Sequence, residues 1–144
     1  MTRISFYLLS GAGRDRCEVA CRLAHKAWQR RARVFIHCSD PALARALDER
    51  LWTLEDVSFL PHALQDDPLA AEAAVLIGSR DPGNGHSDVL INLDTTLPAF
   101  FARFDRVLEL VDDDEAVRAE GRLRYRHYQE RGYPLEVHEL KDRP

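Results

Sequence analysis

The chain has 144 residues, of which 45% are hydrophobic and 31% charged, and its 24 acidic side chains outnumber 20 basic ones for a formal net charge of −4. That length fits one domain over residues 1–144, with a core that needs no disulfide or metal staple. The acidic balance argues against a dedicated DNA-binding surface, and no apolar run approaches the roughly 18 residues of a membrane span.

In chain order, residues 4–9 predict a first strand, too short and too patterned for an export signal. With three cysteines in the chain, this places the protein in the reduced cytoplasm. Residues 15–31 predict a helix, because Cys17, Ala20, Cys21, Ala24, Ala27 and Trp28 recur at three and four residues. Residues 33–38 read as a second strand. Ser39 or Asp40 then caps a helix with Pro41 at its first position, running to about Trp52. Residues 57–60 form a short extended segment ending at Pro61. Strands follow at 74–78, 88–93 and 106–111, with a Gly/Pro/Asn/Asp/Ser loop over 79–87 and a short helix over 98–104. Asp112, Asp113 and Asp114 open a final helix that Gly132 ends, and residues 135–140 add an edge strand. Strands alternating with helices predict an α/β fold: one mostly parallel sheet with helices on both faces, resembling a nucleotide-binding, Rossmann-like fold.

The chemistry-bearing residues form no catalytic or metal constellation. Gly11-Ala12-Gly13 lies where a dinucleotide fingerprint would sit, but Arg16 replaces its third glycine, and a tight strand-to-helix turn accounts for the pair. Cys17, Cys21 and His25 have metal-like spacing. Eight residues of helix span about 12 Å, however, while zinc holds its ligands at about 2.0–2.3 Å. Core thiols are the simpler reading. His62, His86 and Asp88 lack a nucleophile at a recognisable spacing. Trp52, Phe59, Leu60 and Pro61 read either as core or as an exposed interface patch.

The final helix, over 118–131, is the most informative element. Arg118, Arg122 and Arg126 recur every four residues on one side, with Tyr125 beside the row and Arg124 and Arg131 adding charge further round. A solvated face with arginines toward the helix C-terminus is one reading. A docking face for carboxylates is the other, because arginine grips them bidentately and tyrosine offers an apolar wall.

Five stretches in this order resemble the chi subunit family of bacterial DNA polymerase III. They are Ser5-Phe6-Tyr7-Leu8-Leu9, Leu47-Asp48-Glu49-Arg50-Leu51-Trp52, Ser58-Phe59-Leu60-Pro61-His62, Asp88-Val89-Leu90-Ile91-Asn92-Leu93, and Arg122-Leu123-Arg124-Tyr125-Arg126-His127-Tyr128 followed by Gly132-Tyr133. The resemblance covers nearly the whole chain and departs most over 63–87. It implies a subunit of a DNA-directed DNA polymerase holoenzyme that has no activity or cofactor of its own. Such a subunit sits in the clamp-loader assembly as a heterodimer with psi. It holds the acidic C-terminal tail of single-stranded DNA-binding protein and so meets nucleic acid indirectly. The resemblance places tail binding on Arg118, Arg122, Tyr125 and Arg126, and psi binding on Trp52, Phe59 and Pro61. His127 stands where the family often has a small residue. Two rival readings stay open: a small nucleotide-binding enzyme using the Gly11-x-Gly13 turn, and a direct nucleic-acid binder using the arginine helix.

Overall fold

A computed structural model of the chain describes residues 1–10, 15–54 and 60–140. Each α-helix in it starts where an aspartate satisfies a backbone donor that the first turn leaves orphaned. Asp15 accepts from the Glu18 amide ahead of α1 (Arg16–Gln29), and Asp40 from the Ala42 amide ahead of α2 (Pro41–Trp52). Asp114 accepts from the Val117 amide ahead of α3 (Glu115–Glu130). Gly132, with φ at 77°, follows the end of α3 in the left-handed region that glycine enters without strain.

Seven strands form one sheet: β1 (Arg3–Leu9), β2 (Val34–His37), β3 (His62–Leu64), β4 (Val75–Gly78), β5 (Val89–Asn92), β6 (Arg106–Val111) and β7 (Leu135–Leu140). Their order is β3-β4-β2-β5-β6-β1-β7, and every neighbouring pair is parallel. The central strands read as continuous apolar runs because both faces are covered. On one face α1 and α2 bury Val34, Ile36, Val75, Ile77, Ile91 and Leu110. On the other, α3 and the turn at Phe101–Arg103 bury Ile4, Phe6, Phe35, Leu90 and Val107, with Tyr128 at 0% exposure. The expected α/β fold with helices on both faces is therefore observed, and the sheet is wholly parallel.

Local departures have physical causes. The helix expected over 98–104 is a single 3-10 turn at Phe101–Arg103, a segment too short to offset the cost of helix nucleation. The extended segment expected at 57–60 lies outside the described residues except for the buried Leu60. The strand in this region is β3, two residues further on. Three residues give no legible alternation, so β3 exists only because β4 offers it a parallel partner.

Candidate protein-binding site

Helix α3 carries the chain from β6 to β7 over the intervening β1. What holds it there is a buried polar cluster. Glu109, on β6, is 0% exposed. It accepts hydrogen bonds from Arg124 Nε at 3.0 Å, from the Tyr128 hydroxyl at 2.8 Å and from Asn92 Nδ2 at 3.2 Å. Arg124 also donates to the Thr95 carbonyl at 2.8 Å. Burial pushes the Glu109 carboxyl above the usual carboxylate range, while the Arg124 charge and the Tyr128 and Asn92 donors pull it back. Arg124 thus corrects the sequence expectation: at 6% exposure it adds nothing to the outer basic face. The signal was present in β6, where Glu109 is a lone acid among Val107, Leu108, Leu110 and Val111 and demands a buried partner.

Between α3 and the β1–β7 margin lies a groove of about 420 Å³. Its apolar lining comes from Phe6, Leu8, Val111, Tyr125 and Val137, and Arg118 and Arg122 stand at it from α3. Tyr125 meets Phe6 edge-on, with ring centroids 5.3 Å apart, which fixes its ring as a wall. Gly121 sets the depth. A Cβ there would meet Val111 Cγ2 at 2.9 Å, so only glycine lets α3 approach β6 this closely. Sequence reasoning passed over Gly121, although a glycine inside a helix costs about 1 kcal/mol against alanine and so signals a packing reason.

The structure brings Arg118, Arg122 and Tyr125 together at the groove but leaves Arg126 outside its lining. At 3.6 residues per turn, each step of four rotates by about 40°. The arginine row therefore winds from the groove wall at Arg118 to the solvent crest at Arg126. Arg118 is also engaged within the chain: its Nη2 lies 2.6 Å from Asp113 Oδ1, and its Nε donates to the Asp112 carbonyl at 3.3 Å. Arg122 and Arg126 form no ion pair among the described residues.

Of the residues expected at the second surface, Trp52 and Pro61 are described. Trp52 ends α2 at 60% exposure, so the core reading of this residue gives way to an exposed one. Its ring meets His62 edge-on at 4.6 Å. His62 is held between the Leu60 carbonyl at 2.8 Å and the Asp48 carbonyl at 3.1 Å, which ties the end of α2 to the start of β3. Pro61, half-buried, accepts the Ala74 and Val75 amides on its carbonyl. Phe59 and the Gly11–Gly13 turn lie outside the described residues. Among the described residues, no cluster of His, Cys, Asp or Glu could hold a metal ion, and no helix is long and apolar enough to cross a membrane.

A family model for the DNA polymerase III chi subunit, HolC, matches residues 1–136. The chain belongs to the DNA polymerase III chi subunit family. This chi-family chain is 44% identical over 141 residues to DNA polymerase III subunit chi of Pseudomonas aeruginosa, covering 97% of itself and 98% of that protein. It is 32% identical over 119 residues to the Haemophilus influenzae subunit, covering 82% and 83%. To the Escherichia coli subunit it is 31% identical over 141 residues, covering 94% and 96%. Among solved structures, T4 UvsW shares the fold of this chi-family chain, with a TM-score of 0.71 at 9% identity, 97% of this chain matching 41% of that one. At that identity the likeness extends to the fold alone.

Proposed function

We propose that this chain acts as the chi subunit of a bacterial DNA polymerase III holoenzyme, in the cytoplasm and without catalytic activity of its own. In this reading it joins the clamp-loader assembly through psi and holds the acidic C-terminal tail of single-stranded DNA-binding protein. The observation that carries the tail assignment is the groove beside α3. An apolar lining with two arginines at its edge suits a peptide that ends in an aromatic residue and a carboxylate: the ring enters the groove and the arginines meet the charge. Arg118, Arg122 and Tyr125 take the direct roles, and Arg126 attracts the acidic residues upstream from its place on the crest. Trp52 supports the psi assignment, because an exposed tryptophan backed by a tethered histidine is a typical interface anchor. Pro61 precedes that histidine in the chain, and Phe59 belongs to the same segment of sequence.

Calorimetry with a synthetic acidic tail peptide tests the reading. Arg122→Ala is expected to weaken binding with the fold intact by circular dichroism. Equal affinity for both proteins would remove the assignment.

A further inference from the structure

Arg118 differs from the rest of its row in having an internal carboxylate partner. Asp113 Oδ1 lies 2.6 Å from its Nη2, and the Asp112 carbonyl accepts from its Nε at 3.3 Å. Both side chains are about half exposed, 50% for Arg118 and 55% for Asp113, so the pair sits in water at the groove and can be exchanged. Asp113 lies in the junction between β6 and α3, just before the Asp114 cap. Its carboxylate therefore reaches Arg118 from the helix N-terminus, the same guanidinium that the groove offers to a ligand.

We infer that Asp113 is an internal competitor for the acidic tail: it occupies Arg118 in the free protein and yields it only when a partner carboxylate displaces it. The inference rests on the tail reading above. Its physical basis is exchange. A guanidinium already paired gains little from a new carboxylate, because the old contact is lost as the new one forms. Arg122 has no such pair among the described residues and gives its full interaction to the ligand. Asp113 thereby sets a threshold. One ligand carboxylate is met by Arg122, and a ligand must carry further acidic groups in the right place to recruit Arg118. The protein discriminates against weakly acidic peptides without losing the groove.

A double-mutant cycle tests this, with an aspartate-rich synthetic peptide ending in phenylalanine and a free carboxylate as the titrant. Asp113→Asn is expected to tighten binding by about two- to fivefold, the range for releasing one exposed ion pair. Arg118→Ala should weaken binding more in the Asp113→Asn background than in the native one. Correspondingly, Asp113→Asn should have no effect once Arg118 is alanine. Asp113→Ser should tighten binding as Asp113→Asn does, which separates loss of the carboxylate from a property of asparagine. If Asp113→Asn leaves affinity unchanged or weakens it, the competition does not exist. If it tightens binding equally with and without Arg118, the effect is a general loss of negative charge and the inference is overturned. If neither the native chain nor Asp113→Asn binds the peptide, the tail reading itself fails, an outcome recognisable by the absence of any saturating signal.

Discussion

Arg122 and Arg126 are both exposed arginines on one helix, four residues apart, yet the geometry places them differently with respect to the groove. Arg122 stands at the groove and can close on a carboxylate beside the Tyr125 ring, whereas Arg126 has turned about 40° further toward solvent. A charge-assisted hydrogen bond at a partly enclosed site contributes about 1–3 kcal/mol, and Arg122→Ala is expected to lose that much tail-peptide affinity. Arg126 faces open water, where a charge contributes under about 1 kcal/mol and salt screens it. Calorimetry at low and raised salt should therefore find Arg126→Ala the milder change, with a difference from native that fades as salt is added. Equal losses for the two variants at both salt levels would mean that the groove does not rank them.

At the scale of elements, α3 is positioned by one close approach and one buried cluster. Gly121→Ala would favour the helix by about 1 kcal/mol in propensity, but its Cβ must displace Val111. Overpacking of this kind costs about 1–3 kcal/mol. The expected result is a net loss of stability in chemical denaturation together with weaker tail binding, since α3 carries one wall of the groove. Val111→Ala in the same chain should restore part of both. At the opposite end of the strands, His86 is buried and lies 2.6 Å from the Ala73 carbonyl, and that burial pushes its imidazole below the ordinary value of 6.5. The folded chain therefore resists protonating it. This contribution to stability is complete above the ordinary value and is lost as pH falls through the lowered one. Thermal melts at about pH 7.5 and about pH 5.5 should show the native chain losing more stability than His86→Gln over that interval. A parallel loss in both would place the proton uptake elsewhere.

For the whole molecule, the sheet order separates the two proposed surfaces. Trp52 ends the helix that packs near β3 and β4, and the α3 groove lies on the other face, at β1 and β7. Five strand spacings of about 4.8 Å put them roughly 24 Å apart across the sheet. Sites at that distance with no shared partner behave additively. Trp52→Ala is thus expected to reduce capture of purified psi while leaving tail-peptide affinity at its native value, and Arg122→Ala to do the reverse. Loss of both partners in either variant, measured by pull-down and calorimetry on the same preparation, would indicate a damaged fold.

Sequence by itself determined the long helices, the central strands and the family. Periodicity of 3.6 and continuous apolar runs reflect burial, and burial is written locally in which side chains are apolar, so α1, α2, α3 and the central strands were legible. Aspartate caps and Gly132 marked helix ends because they act on neighbouring amides and on backbone conformation at a single residue. The spacing of Arg118, Arg122 and Arg126 was equally local. Tertiary structure decided everything that depends on what faces a helix from elsewhere in the chain. It drew Arg124 inward onto Glu109, let Gly121 bring α3 down on Val111, and turned Trp52 out to solvent. It also built the groove from β1, β6, β7 and α3, whose residues span 6 to 137. Those relations are set by packing between elements: even Glu109 and Arg124, 15 residues apart, meet only because α3 folds back over β6, and no periodicity within either element encodes that.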